Sequence, residues 1–152
     1  MVQLIVGEKG KGKTKHLLDK VNSAVKTASG NIVYLDKNSK HMYELKNAIR
    51  LISTGEFPIA NTDEFIGFIC GIVSQDHDIE EMYLDSFRVI AFIDDDNNIE
   101  GVLDKLVKIS DQFKVNFTIS ISIDESAVPA AYKDSIIVSL YFVNLVIFEK
   151  PR

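Results

Sequence analysis

Residues 7–14 read Gly7-Glu8-Lys9-Gly10-Lys11-Gly12-Lys13-Thr14, and together they specify a chemistry. Glycines let a backbone wrap closely around an anion, so that successive N–H groups point inward. A lysine in the seventh place reaches the β- and γ-phosphates, and a threonine in the eighth presents its hydroxyl to Mg²⁺. The pattern G-x-x-x-x-G-K-T is a P-loop, and the ligand it implies is a nucleoside triphosphate. With Lys15, these eight residues form the expected nucleotide-binding segment.

Such a loop works only between a buried strand and a helix. Val2-Gln3-Leu4-Ile5-Val6 is a short apolar run that suits a strand covered on both faces. After the loop, Leu17, Leu18, Val21, Ala24, Val25 and Ala28 recur at helical spacing, with Lys15, Asp19, Lys20, Asn22 and Lys26 on the opposite face. Gly30-Asn31 stops this helix. Its N-terminus therefore starts at Lys13 and Thr14 and aims its dipole at the phosphates.

Gly7, Gly10 and Gly12 refine the pattern to G-x-x-G-x-G-K-T, which resembles the RecA- and AAA-like branch of the P-loop NTPases and many small kinases. The GTPase partners N-K-x-D and D-x-x-G do not occur, which favours ATP over GTP. The resemblance implies an α/β, three-layer fold with a mostly parallel five-stranded sheet flanked by helices. Short bacterial P-loop chains of this look are also distantly similar to the pilus-retraction, or twitching motility, motor ATPases. That similarity covers the P-loop and a generic core, without the acidic and histidine-rich motifs or the additional domain of those motors.

The chain has 152 residues, 46% apolar and 26% charged, so one domain spanning 1–152 with an ordinary core is expected. Cys70, the single cysteine, excludes an internal disulfide framework. It lies among Phe65, Ile66, Phe68, Ile69, Ile72 and Val73, which suggests a buried thiol. The chain begins directly in the first strand with no signal peptide, so the cytoplasm is the expected location. Residues 136–148 are the longest apolar run, shorter than the ~20 residues a membrane helix needs. Their Ile, Val, Tyr and Phe content favours one or two core strands. Residues 1–50 carry ten Lys/Arg against four Asp/Glu, whereas residues 51–152 carry seven against eighteen. Positive potential around the P-loop suits a polyphosphate. Ten carboxylates between residues 76 and 104, offset only by Arg88, argue against a nucleic-acid duplex on that side.

Asn31-Ile32-Val33-Tyr34-Leu35-Asp36 reads as the second strand, and the apolar spacing of Met42, Leu45, Ala48, Ile49 and Ile52 predicts a helix over 40–52. Asn61-Thr62-Asp63-Glu64 carries a capping box for a helix over 65–73. The Gly67 and Gly71 spacing within it suggests tight helix–sheet contact. Residues 81–86 are a third strand candidate, 99–113 a helix, 115–123 a fourth strand, and Pro129 opens a loop or short helix. Strands separated by helical segments make a parallel, helix-covered sheet.

Magnesium in such a site is usually organised by an aspartate ending an apolar strand. Asp85, after Met82-Tyr83-Leu84, is the first choice, Asp124 the runner-up and Asp36 the third. All parallel strands end on the ligand side of such a sheet. In active RecA- and AAA-like ATPases the strand-terminal aspartate is followed by a glutamate; here Asp85 is followed by Ser86, and the Asp-Glu pair is Asp124-Glu125. Glu125 and Arg88 are therefore the candidates for catalysis, Arg88 being nearest Asp85 in sequence among Arg50, Arg88 and Arg152. His16, His41 and His77 are isolated and lack metal-ligand spacing.

The expected function is that of an ATP-binding protein with Mg²⁺, a weak or partner-stimulated ATPase that acts as a nucleotide-dependent switch on a protein partner or on itself. A small-molecule kinase is the alternative, disfavoured by three scattered arginines where substrate clamps need clusters. A nucleotide-gated module without turnover is a third reading. A nucleic-acid motor is the fourth.

Overall fold

Alternating side chains in the strands divide the chain's apolar residues between two helical layers. The computed structural model describes residues 1–8, 12–143 and 146–151, so Lys9, Gly10 and Lys11 of the P-loop lie outside it, as do Asn144, Leu145 and Arg152. Strand β1 (Val2–Gly7) turns Leu4 and Val6 to one face and Ile5 to the other. Helix α1 (Lys13–Ala24) follows and buries Leu17, Leu18 and Val21 on the Ile5 side. Past Ala24 the chain continues in hydrogen-bonded turns as far as Ala28, short of the longer helix expected.

Strand β2 (Asn31–Asp36) has the bounds read from the sequence, but the helix expected over 40–52 does not form. In its place stand a single helical turn (Met42–Glu44) and strand β3 (Ile49–Ser53), which pairs in parallel with β2 from Ile32↔Ile49 to Asp36↔Ser53. The apolar spacing in this segment fits a helical stripe, yet residues Ile49–Ser53 are extended. The open edge of β2 decides for the strand, because β3 pairs backbone groups that would otherwise stay free. Met42, on the stripe expected to be buried, is exposed, as is its neighbour Tyr43.

Helix α2 (Thr62–Gln75) starts with the expected capping box: the Asn61 side chain accepts from Glu64 N–H at 2.9 Å, and the Glu64 carboxylate reaches back to Ala60 N–H at 2.6 Å. Two expectations about this helix fail. Cys70 is exposed, and a Cβ added at Gly67 or Gly71 would meet nothing within 4 Å. The apolar run is wider than the face that packs, so Phe65, Ile69, Ile72 and Val73 point inward while the Gly67–Cys70–Gly71 face points to solvent.

Strand β4 (Ile79–Leu84) leads to the short helix α3 (Phe87–Ile90), and α4 (Ile99–Phe113) matches its expected bounds. Strand β5 (Asn116–Ser122) follows, then short helical turns at Glu125–Ala127 and Ala130–Ser135. The terminal apolar run is a hairpin, β6 (Ile136–Val143) and β7 (Val146–Pro151). The sheet has seven strands in the order β3-β2-β4-β5-β1-β6-β7, parallel throughout except for the β6–β7 pair. It therefore exceeds the expected five by β3 and by the split of residues 136–151.

Helices α2 and α4 cover one face, where Phe65, Ile69, Leu103 and Leu106 pack on Leu35, Met82 and Phe117. The other face carries α1 over Ile5, Ile32, Tyr34 and Tyr83. Strands β1, β2, β4 and β5 all end along one edge of the sheet, and that edge carries the site.

Candidate nucleotide-binding site

Gly12 is the hinge between loop and helix. Its φ of 119° belongs to a region that side chains rarely adopt, and an added Cβ would also come within 3.1 Å of Leu140 Cδ1. This backbone turn places Lys13 and Thr14 in the first turn of α1. Lys13 is 7% exposed and its ammonium donates to the Glu8 carbonyl at 2.8 Å. Burial lowers the lysine's pKa, and the nearby Asp85 carboxylate partly offsets that effect. Lys15, one residue on, is exposed.

Asp85 stands at the end of β4, 2% exposed, and is the most heavily bonded carboxylate at this edge. Its Oδ1 accepts from Thr14 Oγ1 at 3.2 Å, Ser120 Oγ at 2.6 Å and Ser86 N–H at 2.8 Å. Its Oδ2 accepts from the Tyr34 hydroxyl at 2.8 Å. The four donors come from α1, β5, the turn after β4, and β2. Strand β5 lies between β1 and β4 in the sheet, which is how Ser120 comes to sit between the loop's strand and the aspartate's strand. Ser86 adopts a left-handed conformation with φ 53°, and its N–H also lies 3.2 Å from Ser120 Oγ. This turn is a strained position held by surrounding bonds.

Asp36 ends β2 beside this cluster. It is buried, and its carboxylate accepts from Lys37 N–H at 2.7 Å. Burial raises its pKa, and the Asp85 charge raises it further. Asp124 has a different surrounding. It is exposed, caps the turn that follows β5, and accepts from Ser126 N–H at 3.0 Å and from the Ser126 hydroxyl. These bonds hold its carboxyl below the ordinary range.

A cavity of about 750 Å³ opens over the edge, lined among others by Lys13, Thr14, Lys37, Asp85, Arg88 and Asp124. Its volume is within the range of small-molecule sites. Arg88 donates to Asp96, to Ser122 O at 3.3 Å and to Asp94 O at 3.2 Å, so its guanidinium is tied to the wall. Glu125 lies apart. It lines a separate cavity of about 720 Å³ with Lys133, Ser139 and Tyr141, accepts from Ser139 Oγ at 3.0 Å, and lies 3.5 Å from Lys150 Nζ.

Of the residues singled out from the sequence, Glu8, Lys13, Thr14, Asp85, Arg88 and Asp124 thus meet at one cavity. Gly7 ends β1 and Gly12 immediately precedes α1, while Lys9, Gly10 and Lys11 lie outside the described residues. Sequence reasoning missed Tyr34, Ser120 and Lys37. Tyr34 and Ser120 sit in apolar strand runs, where a phenol and a hydroxyl look like ordinary core residues; only strand alignment reveals their shared target. His16 lies 3.3 Å from the Glu149 carboxylate and His41 3.3 Å from Glu44, both away from this cavity. Among the described residues, no helix is long and apolar enough to cross a membrane.

No protein-family model matches the chain, and no curated protein sequence matches it. Among solved structures, the crystal structure of a KaiC-like protein from the hyperthermophilic archaeon Pyrococcus horikoshii is similar to it over 97% of this chain and 75% of that one. The TM-score is 0.62 and the sequence identity 15%. At that identity the likeness is one of fold. This chain shares the fold of that KaiC-like protein, an α/β fold with a mostly parallel sheet flanked by helices, and at the level of fold this bears out the resemblance read from the glycine spacing.

Proposed function

We propose that this protein binds ATP together with Mg²⁺ and acts as a nucleotide-dependent switch, hydrolysing ATP slowly or only when a partner stimulates it. The observation that carries the reading is the approach of Thr14 Oγ1 to Asp85 Oδ1, 3.2 Å, beside the buried ammonium of Lys13. A hydroxyl and a carboxylate presented together suit a hard cation such as Mg²⁺, which is commonly held by one or two carboxylates plus substrate phosphates. The N–H groups at the α1 N-terminus and the Lys13 ammonium suit the phosphates. On binding, Lys13 exchanges the Glu8 carbonyl for phosphate oxygens. Thr14 and Asp85 would hold magnesium, which would supply charge neutralisation for the phosphates.

Slow turnover follows from what surrounds the cavity. Ser86 stands where a glutamate would activate water, and Glu125 faces the neighbouring cavity. Arg88 is held by Asp96 and two carbonyls, so a transition-state cation is better supplied from outside the chain. That requirement favours a protein partner or a second copy as the stimulus. ATP is preferred over GTP because the guanine-reading motif is absent from the sequence. A kinase reading would need clustered cations for a second substrate, and no observation at this cavity favours it. The cytoplasm remains the expected compartment, because ATP is available there.

Calorimetric titration with ATP, with and without Mg²⁺, tests the proposal. Binding that requires Mg²⁺ for full affinity and disappears in Lys13→Ala supports it; retained affinity in that variant overturns it. Phosphate release that rises on adding a partner separates the switch from a kinase, which would transfer phosphate to a metabolite.

A further inference from the structure

A carboxylate that is to bind a metal ion must be held in one orientation, and Asp85 is held unevenly. Three donors converge on Oδ1, and among the described contacts Oδ2 has one, the Tyr34 hydroxyl at 2.8 Å. Tyr34 is 0% exposed and sits in β2 among the residues under α1, with its ring stacked on Tyr83 at 6.4 Å between centroids. Packing therefore fixes the phenol independently of any ligand. Resting on the assignment of Asp85 to magnesium, we propose that Tyr34 is a positioning residue for the metal: its hydroxyl pins Oδ2 and turns Oδ1 toward the Thr14 hydroxyl.

The chemistry is consistent with a donor rather than a base. A phenol carries its proton at neutral pH, so Tyr34 meets the Asp85 carboxylate as a hydrogen-bond donor. Rotation of the carboxylate about its Cβ–Cγ bond would break the Tyr34 bond and strand a buried oxygen, which opposes any other orientation. Partners that orient metal-binding groups in this way typically contribute ~10–100-fold in metal affinity.

Tyr34→Phe removes the hydroxyl and keeps the ring. The expected result is a rise of about tenfold or more in the Mg²⁺ concentration that half-restores full ATP affinity, with Mg²⁺-free ATP binding unchanged. The effect should vanish when Tyr34→Phe is added to Asp85→Asn. A purely structural tyrosine would lower the thermal midpoint and leave the Mg²⁺ dependence alone, and that result overturns the proposal. If Asp85→Asn itself leaves the Mg²⁺ dependence intact, the magnesium assignment fails first; if only Tyr34→Phe is silent, the positioning role alone fails. A measurement on the unaltered protein covers the case of a misfolded variant. Mg²⁺ added to the ATP-loaded protein should shift the tyrosine ultraviolet spectrum, because metal binding draws charge from the carboxylate that the phenol donates to. The shift should be missing in Asp85→Asn, and its absence from the unaltered protein overturns the proposal.

Discussion

The ends of β4 and β5 are adjacent along one edge of the sheet, and each is followed by an aspartate that could serve the same ligand. They differ in what bonds them. Asp85 is buried and draws donors from four separate segments, including the helix that follows the P-loop. Asp124 is exposed and, among the described residues, its carboxylate bonds within its own turn, to Ser126. A carboxylate that integrates distant elements is committed to one orientation; one that caps a local turn serves the chain's change of direction. The lesson is that a strand-terminal aspartate is distinguished by the origin of its donors, and sequence adjacency does not disclose that origin.

The comparison has force only if a triphosphate lies across this edge, so the largest expected effect belongs to Lys13. Lys13→Ala should reduce ATP binding below detection in calorimetry, with or without Mg²⁺. Next comes the contrast itself. Asp85→Asn should weaken Mg²⁺-dependent ATP binding by a tenfold or greater factor, on the scale of ~1.4 kcal/mol or more, while Asp124→Asn changes it less than twofold. The reverse ranking would break the comparison. Tyr34→Phe, described above, should fall between these two variants.

Two smaller effects concern stability against pH. Asp36 has a folded pKa above its unfolded value, so its ionised form is penalised in the native state. That penalty is absent in acid below the unfolded pKa and complete above the raised folded one. Asp36→Asn should therefore raise the urea midpoint at pH 7 and leave it unchanged near pH 3; because Asp85 contributes to the shift, the gain should shrink in an Asp85→Asn background. Asp124 is the opposite case, with a lowered folded pKa. Its contribution is present above the unfolded pKa and lost as pH falls through the folded value. Asp124→Asn should lower the urea midpoint slightly at neutral pH and not at all in strong acid. Equal behaviour of the two variants would erase the electrostatic half of the contrast.

How much of this was legible in the sequence depended on whether local pattern and tertiary context agreed. Strand β1 and helix α4 were legible because spacing and burial pointed the same way. The place of Asp85 at a strand end was legible because Met82-Tyr83-Leu84 is a continuous apolar run. Strand β3 was not, since Leu45, Ile49 and Ile52 fit a helical stripe and only the unpaired edge of β2 selects the strand. Cys70 misled because every neighbour is apolar, yet a helix packs only one stripe of such a run. The aim of Tyr34 and Ser120 at one carboxylate was not legible at all. It depends on β2, β4 and β5 lying side by side, an adjacency written into no local segment.

The sheet order also has a consequence in time. Strand β1 pairs only with β5 and β6, from Val2↔Phe117 onward, so its neighbours arrive more than a hundred residues later in the chain. Closing so long a loop carries a large entropic penalty and makes such pairings slow. The proposed nucleotide site lies at the end of that strand, and Ser120 of β5 completes the bonding of Asp85. Nucleotide therefore cannot serve as an early template for folding. It can only stabilise a sheet whose most distant pairing is already made, which predicts that ATP slows unfolding and leaves the folding rate unchanged.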